Sequence, residues 1–373
     1  MLSGFYLTLM MGSQIATPVP QEITDSLMNA SVTTTLGQAS GFQLTFAVSK
    51  KSIITNVLLP AGFFDPGIRV ILVVIANGFP NVLMDGIITR QEMTPSNDPA
   101  KSTLTVTGED LTVLMSFDHS VKAYYAMATF EIVNLILADY ALYGIVPSVV
   151  PPLEMDVESP TDGWTTQDAT DLDFVNGCAE EAGYVFYLTP GQVPGTSVAY
   201  FGPEVRIGIP QTALNINMDS FTNVESLSFA YDGLAQVQPT VTILDPITEE
   251  IPITIPIPNV SLLRPPLSAR PATALRTEPL EDVANLDPVR AASLGLASAA
   301  KPDPITGSGQ LDIVRYGQIL QARQLVGVRG AGLAYDGLYY VTSVTHNIKR
   351  GEYKQSFSLA REGLISLTPV VLP

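Results

Sequence analysis

The chain has 373 residues and a formal net charge of −17, with 36 acidic side chains against 19 basic ones. That balance argues against nucleic-acid binding, which needs basic patches on phosphates, and against docking to anionic membranes. Hydrophobic residues make up 46% and charged residues 15%, which excludes a wholly disordered chain and falls below the ~25% charge of ordinary soluble domains.

So few charges cover a monomer's surface poorly, and much of that surface is expected to be buried against other subunits. The length allows two or three domains with cores of their own. The acidity has two readings: plain solubility, or an acidic channel wall past which an anionic cargo slides. Cys178 is the single cysteine, and His119 and His346 are the only histidines, so no intrachain disulfide, metal site or cofactor is expected. Residues 1–11 are apolar without a preceding basic residue and do not read as a signal peptide. The longest apolar runs, such as 70–76, are too short to span a bilayer. A soluble protein that folds in the cytoplasm is expected.

In chain order, Phe42, Leu44, Phe46 and Val48 alternate with Gln43, Thr45 and Ala47, the period-2 pattern of a half-buried strand. An apolar run over 68–75 leads into Asn77-Gly78, a hairpin signal, and a strand over 82–93 that holds Gly86 at a bulge or close approach. Residues 94–99 form a loop, and Leu104, Val106 and Gly108 alternate with threonines in another strand. Four strands without intervening helices predict an antiparallel barrel or sandwich.

Met127, Phe130, Val133, Ile136, Leu137 and Tyr140 then recur at helical spacing, stopped by Gly144 and Pro147. A second helix starts at Thr170, with Asp173 three residues on as a capping-box variant, and stops at Gly183. Strands over 184–188 and 197–201 complete a small α+β domain. From Met218 the β pattern returns, with strands at 224–231 and 237–244. The stretch 251–258 carries prolines that cannot donate in a central strand, and it opens a Pro-, Ala- and Arg-rich arm. The chain closes on a hairpin: Tyr339, Val341, Ser343 and Thr345, a turn at Lys349-Arg350-Gly351, then Tyr353, Gln355, Phe357 and Leu359.

Candidate chemistry is sparse. Asp168, Asp171 and Asp173 lack the further oxygen ligands of a calcium loop and read as helix-capping groups. Glu180 and Glu181 are neighbours on a helix and point apart, unlike glycosidase carboxylates facing across a bond. Cys178 sits on an apolar stripe as a small core residue, and His346 reads as a strand position. Residues 327–332 lack the P-loop Lys-Ser/Thr. Trp164 is a loop aromatic suited to an interface.

Three stretches carry a family resemblance: 83–88 with 104–110; 170–175 with Ala179 and 182–186; and 337–346 with 353–361. In order and spacing they resemble the late control protein D family, the central baseplate hub of contractile phages and related injection systems, also the N-terminal core of type VI secretion spike proteins. The resemblance implies an α+β, mostly β fold with two tube-type antiparallel β-barrel domains around a small α+β domain, assembled as a pseudo-sixfold trimeric ring. On this reading 1–29 is an N-terminal arm, 30–118 the first barrel, 119–211 the α+β domain, 212–245 with 307–365 the second barrel, 246–306 a Pro/Ala-rich insertion or arm, and 366–373 a C-terminal tail. It further implies a homotrimer, a separate spike protein, a hexameric inner-tube protein and other baseplate subunits as partners, with no catalytic residues, in an assembled phage tail or injection particle. The chain stops at Pro373 without a spike of its own, so the spike is expected as a separate polypeptide. Tube-facing contacts are expected on Tyr339, Val341, Thr345, Lys349, Arg350, Tyr353 and Phe357 of the closing hairpin, and on Asp85 and Glu109. The rival readings are a soluble β-rich binding or adhesin module and a cell-wall hydrolase.

Overall fold

The computed structural model describes residues 4–76, 78–98, 101–151, 164–244, 252–256, 264–279, 303–368 and 371. Most of the predicted 246–306 arm, Asn77 of the predicted hairpin turn and residues 152–163 lie outside them.

The N-terminal third supplies β1 (Phe5–Gly12), β2 (Thr17–Pro18), helix α1 (Gln21–Ser26), β3 (Leu27–Thr35), β4 (Gly41–Ala47), β5 (Arg69–Ala76), β6 (Phe79–Thr94) and β7 (Thr103–Asp110). The expected N-terminal arm is corrected here: β1 pairs antiparallel with β5 along its whole length. Phe5, Leu7, Leu9 and Met11 alternate in sequence and turn one face to the core, where Leu9 and Met11 are buried, so the segment has an apolar side to hide. Gly86 in β6 lies where a side chain would collide with the Glu109 carbonyl, the close approach its position predicted.

The middle of the chain builds a second core from β8 (His119–Tyr124), α2 (Thr129–Asp139), β9 (Ile145–Val149), β10 (Thr165–Thr170), α3 (Asp171–Ala182), β11 (Val185–Pro190) and β12 (Ser197–Gly202). Thr170 caps α3 by accepting from the Asp173 amide at 3.1 Å, and Gly183 ends it in the left-handed region. Asp171 is buried, accepting from Tyr140 Oη at 2.8 Å and Gln167 Nε2 at 2.6 Å.

The last part returns to the sheet with β13 (Gln211–Asn215), β14 (Val224–Tyr231), β19 (Ile305–Asp312), helix α4 (Ile313–Tyr316), β20 (Leu325–Arg329), β21 (Gly337–Lys349) and β22 (Glu352–Arg361). Between them β15 (Val237–Leu244), β16 (Pro252–Pro256), β17 (Ser268–Pro271) and β18 (Arg276–Pro279) lie outside that sheet, and β23 (Gly363–Ser366) follows. β15 leaves the main sheet to be flanked by β16 and β18. The prolines of β16 therefore sit on an edge strand, where a missing donor is tolerated. The expected C-terminal tail folds back as well: β23 pairs with β17, and Val371 is buried beside Gly327.

The two halves of the main sheet form one surface. Its order is β14-β19-β22-β21-β3-β4-β7-β6-β5-β1-β2, with every pair along this path antiparallel, and a single hydrophobic core draws on strands from both ends. Within it lie two four-stranded units, β14-β19-β22-β21 and β3-β4-β7-β6. In each, chain order maps onto spatial order as first, second, fourth, third. The units are tandem copies of one topology, joined by β21 against β3.

Two buried polar groups contribute to the pH response. His346 is fully buried, its Nδ1 2.7 Å from Tyr353 Oη, and burial lowers its pKa to about 4. Burial pushes the Asp303 carboxyl up, but Arg206 and Arg264, with bonds of 2.6–3.0 Å, more than offset this and hold it below the usual carboxylate range. The unfolded chain takes up a proton at His346 near pH 6.5 and the folded chain only near 4, so stability falls on acidification through that window by up to about 3 kcal/mol. The Asp303 contribution is lost at lower pH still, as its depressed pKa is passed. In urea unfolding at pH 7.0 and 4.5, His346→Gln is expected to reduce the loss of stability at the lower pH; an unchanged difference between the two pH values would refute the assignment.

Candidate functional site

Alternation divides the eight strands from β14 to β6 into a core face and an outward face. One outward row runs straight across seven strands: Ser226, Gln310, Ser356, Thr345, Thr33, Gly41 and Glu109 stand opposite one another in turn. A neighbouring row runs Ser228, Ser308, Ser358, Ser343 and Thr35. The hydroxyls interlock between strands, with Oγ1 of Thr33 and Thr345 3.0 Å apart, Thr35 and Ser343 3.4 Å, and Ser228 and Ser308 3.0 Å. A shallow groove opens on each unit, one lined by Ser226, Ser308 and Ser356, the other by Ser31, Thr33 and Thr107.

The cations Arg90 and Lys354 of this face are paired. Arg90 pairs with Glu92 at 2.8 Å, and Lys354 lies 2.9 Å from Glu225 and 3.4 Å from Glu352. Exposed pairs of this kind add little to stability. The rows of this face are hydroxyl- and amide-lined, with Glu109 exposed among them.

The expected contact residues divide between the two faces. Thr345 is half-buried on the outward side, Lys349 and Arg350 are exposed at the hairpin tip, with Arg350 3.5 Å from Asp25, and Glu109 is exposed. Tyr339, Val341, Tyr353, Phe357 and Asp85 are buried between 0% and 3% exposure within the single chain, so their side chains cannot meet a partner and those expectations are corrected. A register shift between Val341 and Ser343 explains part of the error. Before this bulge the odd residues Tyr339 and Val341 face the core; after it the even residues Val344, His346 and Ile348 do. Strict period-2 counting across Thr342 places Val341 and Thr345 on one face, and the extra residue separates them. The hydroxyl rows went unread, although their signal was present as Ser and Thr alternating with apolar residues in several strands.

Asp85 has a different task. It accepts two bonds of 2.7 Å from Arg69, whose guanidinium also donates to the Tyr143 carbonyl at 2.8 Å and the Gly195 carbonyl at 3.2 Å in the middle domain. Burial raises the Asp85 carboxyl while Arg69 opposes the rise. Arg323 makes a second tie, donating to the Thr35 carbonyl at 2.8 Å and the Leu188 carbonyl at 3.2 Å, with its guanidinium 3.8 Å from the Tyr187 ring centroid. The two arginines anchor the middle domain to the sheet.

Among the described residues no group of three or more His, Cys, Asp and Glu gathers to hold a metal, and none of the helices is long and apolar enough to cross a membrane. Cys178 is buried, its thiol pushed up to about 12 by desolvation and the nearby Glu181 charge. His119 contacts Asp168 at 2.8 Å, and Trp164 packs on Tyr125 with ring centroids 5.6 Å apart, both at exposed positions of the β8–β10 ribbon.

No family model and no curated protein matches the chain. Solved structures do. A tail protein from Neisseria meningitidis is 15% identical with a TM-score of 0.61, covering 97% of this chain and 98% of its own. The 43 kDa tail protein of a Shewanella oneidensis prophage is 13% identical with a TM-score of 0.63, covering 96% and 99%. An Escherichia coli component of the type VI secretion system, itself structurally similar to T4 bacteriophage tail proteins, is 13% identical with a TM-score of 0.54, covering 93% and 77%. The fold is that of phage tail proteins. It is mostly β, as the strand patterns predicted, and spans nearly the full length of the two tail proteins.

Removing one partner of a buried pair strands the other. Arg69→Met is expected to cost about 3–5 kcal/mol in urea unfolding, with much of that recovered in Arg69→Met/Asp85→Leu. Equal losses in the single and double variants would show that the pair is not the anchor.

Proposed function

We propose that the protein is the structural hub of a phage baseplate or related contractile injection machine, adapting a trimeric spike to a hexameric inner tube. The observation that carries this reading is the tandem four-stranded unit. A chain with two copies of one unit turns a threefold arrangement of chains into a sixfold arrangement of sheets, and heterologous contacts that close by rotation generate such rings. The tail-protein fold is in keeping with this role.

In the proposed ring the hydroxyl-lined face turns toward the central passage. A wall largely of short hydroxyl and amide side chains, with Arg90 and Lys354 paired to carboxylates, offers a passing polymer neither a basic patch nor a broad apolar one. The action is mechanical: sheath contraction drives hub and spike outward, and no step needs a catalytic group. The spike, the inner tube and other baseplate subunits are the proposed partners. The exposed tip of the β21–β22 hairpin, with Lys349 and Arg350, is the proposed tube contact.

Light scattering on the full chain, alone and with the spike protein of the same particle, is expected to give a mass of three copies or a three-to-three complex. A monomer under both conditions would favour the rival β-rich binding module. Charge reversal at the hairpin tip, Lys349→Glu with Arg350→Glu, is expected to weaken co-sedimentation with inner-tube protein severalfold while leaving the thermal midpoint within a few degrees. Intact docking would remove the tip from the interface.

A further inference from the structure

The two units differ in how they join their first two strands. β3 passes to β4 through residues 36–40, whereas β14 reaches β19 only through the long connection 232–304. Both ends of that connection meet at the sheet: Tyr231 and Ile305 are paired, and the Asp232 amide donates to the Pro304 carbonyl at 2.8 Å. The strand pair is thus closed at its own end, and the register of the sheet does not need the contacts the connection makes elsewhere.

One of those contacts is with the crossing from the middle domain to β13. The crossing runs from Pro203 to Pro210, and among the described residues 204–209 make no backbone–backbone hydrogen bond. Gly208 takes a φ of +154°, a setting that glycine reaches freely. Val205, Ile207 and Ile209 turn outward, Ile209 at 93% exposure, while Arg206 between them is sunk to 2%. A segment with so little buried apolar contact and no ladder bonds belongs to the low-stability end of a fold. Its hold on the rest of the molecule falls chiefly to Arg206.

Arg206 donates to Asp303 Oδ1 at 3.0 Å and Oδ2 at 2.6 Å, a bidentate fork, and from Nε to Glu204 Oε1 at 2.6 Å. Arg264 Nη2 donates to the same Asp303 Oδ1 at 2.9 Å, and its Nη1 lies 3.7 Å from Glu204 Oε2. The Tyr340 ring of β21 packs on the Arg206 guanidinium, its centroid 4.8 Å away. Two guanidiniums and two carboxylates close a neutral, largely buried tetrad. The tetrad divides along the chain: Glu204 and Arg206 belong to the crossing, Arg264 and Asp303 to the connection. Parting the two segments leaves a bonded pair on each side. No lone charge is stranded, which is what makes breaking a buried pair costly.

We propose that the tetrad is a separable latch, by which the connection 232–304 holds the crossing 203–210 through Arg206, and that the crossing opens as a local unit while the main sheet stays folded. This is independent of the hub reading. Closed, the latch adds a third polar tie to those of Arg69 and Arg323; open, it gives the middle domain freedom about Gly208.

Elastase cuts after small aliphatic residues, and cleavage after Val205 in the full chain, followed by mass, reads the open state. In the unsubstituted chain this cleavage is expected to depend on urea much more weakly than global unfolding does, because local opening exposes little surface. An equal dependence would overturn the latch. Replacing the pair on the connection together, Arg264→Gln with Asp303→Asn, is expected to raise cleavage at least tenfold with little shift in the urea midpoint of the main transition. Asp303→Asn alone leaves two guanidiniums to one carboxylate and is expected to lower that midpoint more than the double variant does. Cleavage at the unsubstituted rate in the double variant, or cleavage rising only in step with the loss of global stability, would overturn the proposal and make the tetrad a fixed structural contact.

Discussion

The pairing of β21 with β3 is the constraint on which the rest depends. Seven consecutive residue pairs, from Ser343 with Thr35 to Lys349 with Asn29, join strands from opposite ends of the chain. This contact turns two four-stranded units into one sheet, merges their cores, and makes the outward rows continuous. It closes a loop of about three hundred residues, an entropic cost that grows only slowly with loop length but delays the contact in folding. The middle domain and the insertion after β15 lie within that loop, and Arg69 and Arg323 tie the former back to the sheet.

The same sheet accounts for the low charge content of the chain. Its inner face is apolar and its outer face is largely Ser, Thr, Gln and Asn, so eight strands are wetted with few ionised groups. Hydroxyls can give and accept across the strands while staying hydrated, and the ladder of 3.0–3.4 Å contacts follows from strands spaced about 4.8 Å apart. Glycines settle where rings cross the core side: a side chain on Gly309 would strike the Phe357 ring, and one on Gly108 would strike Phe42. Each unit meets this packing demand with different strands, which is one way tandem topology persists where the residues themselves have diverged. Tail-protein folds at 13–15% identity fit the same logic, since alternation and turn positions can survive the loss of most identities.

Much of the local structure was legible. The Thr170 cap and Gly183 stop of α3, the α2 stripe of Val133, Ile136 and Leu137, and the hairpin turning at Gly351 all follow from residue chemistry within a few positions. Tyr353 and Phe357 were misplaced as contacts because the core face of β22 was not separated from its outer face, and Asp85 because its partner Arg69 lies sixteen residues away. The N-terminal strand was misread as an arm for a related reason: its alternation is plain, but its partner β5 lies some sixty residues on.

The sequence by itself determined that this chain is rich in half-buried strands with a helical interlude, and that hairpins close at Gly78 and Gly351. Those are short-range properties, set by alternation, turn conformation and side-chain solvation. Only the tertiary structure decided that the two halves are copies of one unit, which residues beyond each bulge face outward, and which edges stay open. A bulge changes the parity of every later residue in its strand, and its position is settled by the neighbouring strand it must match. An edge is defined by a partner that local sequence does not contain.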